Sequence, residues 1–197
     1  MSDARVDSIL MGPYGAGKTT LAERIARLLE WPRLSLDEMQ RTYLKEMNNF
    51  AQVEQVMHKE KSTSPLLQPY HAYVVERAFQ DLQRSPQAHV VEFGYGHSVY
   101  EDSTYISRVT EALSRYPNTF LIVPSPDPQE AADLLYGNIM SHPLKRYVAT
   151  RETIYEINEH AVRLYSRYPL AKHVVYTKGS TAEQTCDYIL NLVRFST

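Results

Sequence analysis

Gly12-Pro13-Tyr14-Gly15-Ala16-Gly17-Lys18-Thr19 matches the pattern G-x-x-x-x-G-K-[ST] at every fixed position. Each residue type in that pattern answers a physical demand. Glycines let a loop curl until successive backbone N–H groups face one point. A helix that starts there adds the positive end of its dipole. Lys18 brings a point charge, Thr19 a hydroxyl suited to a hard cation, and Thr20 a second hydroxyl for an anion's oxygen. The stretch therefore reads as a cradle for the phosphates of a nucleoside triphosphate, ATP with Mg²⁺. The expected nucleotide contacts are Gly12, Pro13, Tyr14, Gly15, Ala16, Gly17, Lys18, Thr19 and Thr20.

The flanks have the context this mechanism needs. Val6 to Met11 is a short apolar run that predicts a buried strand. From about Lys18 to Glu30, Leu21, Ile25, Leu28 and Leu29 recur at helical spacing, and Trp31-Pro32 ends the helix. Leu34–Leu36 predicts a second strand, with Asp37 as the cap of the helix after it. About Asn48 to Ser64 is polar and weakly patterned, and is read as a substrate-binding region, about 40–66 in full. Helices are expected at about 67–83, 103–116, 129–137, 151–168 and 181–195, and strands at 89–93, 119–123 and 172–177. The alternation predicts an α/β fold, a three-layer α/β/α arrangement around a parallel sheet of about five strands. Ligands of such sheets bind beyond the carboxyl ends of the strands. The polar residues of interest fall there.

Composition narrows the function classes. At 197 residues the chain fits one domain with a sizeable core. With 43% hydrophobic and 22% charged residues, it is not the composition of a disordered chain. A net charge of −2 argues against a broad basic surface for nucleic acid. The single cysteine, Cys186, excludes an internal disulfide or cysteine metal site and reads as a buried thiol of the last helix. No apolar run is long enough to span a bilayer and none follows a basic start, so the expected compartment is the cytoplasm. The fifteen tyrosines suit half-buried packing and aromatic pocket walls.

Two acids are candidates beside the phosphates. Asp37 lies nineteen residues after Lys18, just past the second strand, and is expected to serve catalysis or metal binding. Glu92 ends the apolar run His89-Val90-Val91, and hydrated Mg²⁺ is a partner that a buried carboxylate there could have. The metal set is thus Thr19, Asp37 and Glu92, and the catalytic set Lys18 and Asp37. His97 reads as a substrate or structural hydrogen-bonding group. Lys145 and Arg146, with Arg151 after them, form a basic stretch expected to close over the phosphoryl group as a lid, about 138–151.

These residues together resemble the shikimate kinase family of P-loop small-metabolite kinases. The resemblance implies a kinase fold, ATP and Mg²⁺ as cofactors, and a small-molecule acceptor as partner. It puts Asp37 at the attacking hydroxyl, Gly94-Tyr95-Gly96 over the acceptor, and Arg151, in the stretch Arg151 to Glu156, on an acceptor anion. Val175 to Glu183 is similar to the family's adenine-side loop and final helix. The chain departs from the family elsewhere. Between Asp37 and the third strand it is rich in Tyr, His and Gln and lacks an arginine in the family's context. Tyr95 sits inside the glycine turn, and His142 stands where an arginine is expected. The acceptor is therefore expected to differ from shikimate. A nucleoside or nucleotide kinase, and an ATP-binding regulatory or toxin-like module with slow ATPase activity, remain alternatives. Thr177-Lys178-Gly179-Ser180 lacks the acidic guanine reader of a switch GTPase, and a motor ATPase with a C-terminal helical domain is not expected.

Overall fold

The computed structural model describes residues 7–60, 64–141, 151–167 and 170–193. Five parallel strands form one sheet: β1 (Ser8–Met11), β2 (Arg33–Ser35), β3 (Val90–Glu92), β4 (Asn118–Val123) and β5 (His173–Tyr176), in the order β2-β3-β1-β4-β5. The helices between them are α1 (Lys18–Leu29), α2 (Leu36–Leu44), α3 (Phe50–Lys59), α4 (Gln68–Arg84), α5 (Ser103–Leu113), α6 (Pro128–Ser141), α7 (Arg151–Arg167) and α8 (Ala182–Leu192). Short 3₁₀ turns cover Pro65–Leu67 and Tyr95–His97.

The sheet has an apolar core on each face, as the two-residue side-chain period requires. In β1, Ile9 and Met11 join the cluster with Leu36, Val75, Phe79 and Leu164. Leu10 between them joins the opposite cluster with Ala22, Ile25, Leu135 and Ile189. Phe120 and Ile122 of β4 point to that second face, Leu121 and Val123 to the first. Cys186 is fully buried among the second set and is a free thiol. Truncating one of these side chains, such as Ile25, to alanine costs about 2–5 kcal/mol.

Central β1 pairs with β3 on one side and β4 on the other. The phosphate loop leaves the C-terminal end of β1, and strand order reverses between β3 and β4, so the loop opens at the crevice where such sheets bind ligands. The β2–β3 register puts Ser35 opposite Glu92. The residues after both strands therefore converge beside the loop.

Two local expectations need correction. The segment after Asn48 is helical: α3 carries the stripe Phe50, Val53 and Met57 at helical spacing, with Val53 fully buried. One narrow stripe in a polar segment was enough, because α3 docks on the first apolar core and Arg41 pairs with Glu54 at 2.7 Å. Asp37 is also not a cap. Buried Leu36 begins α2, Ser35 takes the N-cap position, and Asp37 lies in the first turn, where a carboxylate complements the helix dipole. A side-chain cap by an acid is made at α5 instead, where the Asp102 carboxylate accepts from the Thr104 N–H.

Candidate active site

The loop after β1 is built from backbone conformations that suit glycine. Gly15 and Gly17 both have φ of 83°, in the left-handed region. Space acts as well: a Cβ on Gly15 would lie 2.7 Å from Ile139 of α6. Asn138 of α6 donates to the Gly15 carbonyl at 3.2 Å and holds the loop from outside. The first turn of α1 then presents Lys18, Thr19 and Thr20 to the same cavity, which measures about 1030 Å³.

Lys18 is only 8% exposed, and its Nζ donates to the Pro13 carbonyl at 2.9 Å. Burial lowers its pKa to about 8, against the pull of Glu92 and Asp37. A buried ammonium held by one carbonyl is a cation in want of an anion, and phosphate oxygens fit it. Thr19 donates its hydroxyl to Glu92 Oε1, while Arg33 Nη1 bonds Glu92 Oε2 at 2.7 Å. Glu92 thus has both oxygens engaged, one by the loop and one by β2. Among the described residues no group of three or more His, Cys, Asp or Glu could hold a metal by itself. A hydroxyl with carboxylates behind it is a hard-oxygen set that suits Mg²⁺ shared with phosphates rather than caged by protein.

Asp37 lines the same cavity from α2. Its Oδ1 lies 3.4 Å from His97 Nδ1, and Gly94 has no room for a Cβ because one would fall onto that carboxylate. Desolvation inside the cavity works to raise the Asp37 pKa, but His97 first and Lys18 after it outweigh it and hold the carboxyl below its ordinary value. His71 of α4 packs on Gly96, where a Cβ would fall onto its ring. Gln40, Met57, Glu60, Leu67, His71 and Tyr95 line the cavity as well. On the other side of the phosphate loop, Thr177–Ser180 and Asn138 line it. Lys178 there pairs with Glu130 of α6.

The turn Tyr95–His97 is pinned to α7. The Tyr95 hydroxyl donates to the Ile157 carbonyl at 3.0 Å, and the Ser98 and Tyr165 hydroxyls meet at 2.8 Å. His160 and Glu101 add a 3.0 Å contact.

The structure therefore brings Tyr14 to Thr20, Asp37, Glu92, Tyr95, Gly96 and His97 to one cavity, with Gly94 packed against Asp37. Gly12 and Pro13 lead into it. At Gly12 a Cβ would fall onto the Ile122 carbonyl, so β4 packs tightly there. Lys145, Arg146 and His142 lie outside the described residues, as does the side chain of Arg151, whose backbone opens α7. Sequence reasoning missed His71, Arg33 and Asn138. His71 had a signal: it falls on the stripe Val75, Ala78, Phe79 and Leu82 that α4 buries. Arg33 and Asn138 had none, since their partners are set by strand register and helix docking.

No family model matches the chain, and no curated protein matches it in sequence. Solved structures do match. Shikimate kinase from Acinetobacter baumannii, in complex with shikimate, is 16% identical with a TM-score of 0.62, over 97% of this chain and 94% of that one. A gluconokinase from Sinorhizobium meliloti 1021 is 16% identical with a TM-score of 0.60, over 97% and 93%. The tunicamycin resistance protein of Deinococcus radiodurans is 13% identical with a TM-score of 0.60, over 96% and 95%. At such identities the likeness is one of fold: this chain has the P-loop fold of the shikimate kinase structures, and nearly the whole of it takes part.

Proposed function

We propose that this chain is a kinase that moves the γ-phosphoryl group of Mg-ATP to a hydroxyl of a small molecule. One observation carries the reading. A single cavity is lined by Lys18 and the glycine loop, by Asp37, and by Gln40, Met57, Glu60, Leu67 and His71 from the segments that follow β2. Room for a second molecule next to a carboxylate and the glycine loop suits transfer to an acceptor better than hydrolysis alone. The fold shared with kinases of shikimate and of gluconate supports it.

Each residue then has a task in a reaction that asks mostly for positioning and charge. The loop amides and Lys18 hold the β- and γ-phosphates. Thr19, oriented by Glu92, and Asp37 would hold Mg²⁺. Bound there, Mg²⁺ would offset charge on the phosphate oxygens. Asp37 accepts the proton of the acceptor hydroxyl as its oxygen bonds to the γ-phosphorus and the bond to the β–γ bridging oxygen breaks. Tyr95, Gly96 and His97 wall the acceptor, with Gly94 making room for Asp37, and Lys145, Arg146 and Arg151 are assigned to closure and to an anionic part of acceptor or phosphate. The 197 residues act as one unit, working in the cytoplasm.

A screen of hydroxyl compounds for acceptor-dependent ADP release tests the reading. It includes shikimate, gluconate, nucleosides and nucleotides. At least one compound class should raise ADP release at least tenfold over the water background, with a phosphorylated product. Shikimate is expected to be poor: among the described residues, Asp37 and Glu60 line the acceptor side and no arginine does. No stimulation by any class, with nucleotide bound, would favour a regulatory module instead.

A further inference from the structure

Phosphate binding does not require the two imidazoles packed beneath Asp37. His97 is 1% exposed and His71 5% exposed, with ring centroids 5.1 Å apart and planes tilted by 58°. Both glycines of the turn serve this cluster: position 94 makes room for the Asp37 carboxylate, position 96 for the His71 ring. Burial pushes the His71 pKa down to about 3, so His71 is neutral in the working range. It packs against His97 without competing as a cation.

His97 is the unusual member. Neither of its buried ring nitrogens makes a well-formed hydrogen bond with the described protein. A buried imidazole with uncommitted nitrogens costs free energy, and such groups call for a reason. Its Nδ1 already stands 3.4 Å from Asp37 Oδ1, slightly long for a hydrogen bond. Contacts of this kind in free enzymes close when the reacting groups are bound. The groups facing Asp37 are Lys18 from α1, His97 from the turn and His71 from α4. Of these, His97 alone stands within 4 Å of the carboxylate, at Oδ1, and Asp37 lines the cavity.

We propose that His97 is a positioning residue for Asp37: its Nδ1–H holds Oδ1, presents Oδ2 to the attacking hydroxyl, and is itself wedged by the His71 ring. This rests on the role given to Asp37 above. His97 touches no reacting atom. It fixes the rotamer of the carboxylate that does.

The test uses Mg-ATP with water as the acceptor, so no acceptor need be identified. His97→Phe keeps the volume and removes the donor. It should lower kcat for ATP hydrolysis about tenfold or more, with KM for Mg-ATP within about twofold because the phosphate loop is untouched. His97→Asn, whose amide nitrogen stands in for Nδ1, should recover most of the loss even if the Phe variant proves unstable. In an Asp37→Asn background, His97→Phe should cost nothing further. A His97→Asn variant as slow as Asp37→Asn, or a His97→Phe loss that persists in full without Asp37, would reduce His97 to packing and overturn the proposal. If Asp37→Asn alone hydrolyses ATP at the full rate, the role of Asp37 fails first, and this inference with it.

Discussion

The Asp37 carboxylate occupies the place where a side chain at Gly94 would begin. The backbone there, with φ of −62°, is open to any residue, so space and not conformation demands glycine. Gly94→Ala should therefore fold normally, because the free end of Asp37 can swing away. Turnover should fall by about a hundredfold, the scale of an ångström's misplacement at a reacting group. Nucleotide affinity should hold. Melting curves, nucleotide titration and steady-state rates check the three parts; a variant with full turnover refutes the packing argument.

Lys18 is a stability burden that the ligand relieves. Lys18→Met keeps the length of the side chain and removes a buried charge, so the free protein should gain about 1–3 kcal/mol, the cost of an imperfectly compensated buried polar group. Mg-ATP turnover should vanish. Calorimetric melting of both free proteins at pH 7 decides it, and a lower melting temperature for the methionine variant would show that Lys18 stabilises the loop by itself.

The same residue sets a pH dependence with a definite sign. Its pKa of about 8 lies below the ordinary 10.5, so above pH 8 the free site loses the proton that phosphate needs. ATP affinity should fall by about tenfold per pH unit beyond that point, and binding at pH 9 should take up protons. Without nucleotide the fold binds fewer protons than the unfolded chain between about 8 and 10.5, so this group's contribution to stability rises with pH there. Titration calorimetry at pH 9, in buffers of different ionisation enthalpy, measures the uptake; equal heats would count against it.

Glu92 links the loop to β2 through Thr19 and Arg33. Glu92→Gln keeps the shape but loses the charge that orients both partners. The Mg²⁺ concentration for half-maximal ATP turnover should rise by about 10–100-fold, as for other residues that orient a metal's ligand. A magnesium titration at fixed ATP reads this out. An unchanged midpoint would leave Glu92 a structural partner of Arg33 alone.

Local signals in the sequence carried most of the fold. The loop, the strand before it and the helix after it are contiguous, so Gly12 to Thr20 could be read directly, and strand–helix alternation implied the parallel sheet. Asp37 could be placed because it follows a strand whose end opens on the loop. What escaped depends on contacts between distant segments. Val53 turned a polar stretch into α3 only because the core lay beneath it. Leu36, once buried, drew the start of α2 one residue ahead of the acid that looked like its cap. His71 and His97 are twenty-six positions apart in separate elements, and only packing of α4 on the turn brings their rings together.

The bonds from Tyr95 to Ile157 and from Ser98 to Tyr165 make the turn and α7 one mechanical unit. Neither can be displaced alone without breaking both. Free energies of two events that share a rigid element are reciprocal. A molecule seated on the turn would therefore tighten α7 by the same factor by which a seated α7 tightens that molecule, and a substitution of Tyr165, whose hydroxyl makes one of the two bonds, would be felt as a change in affinity at a place it never touches.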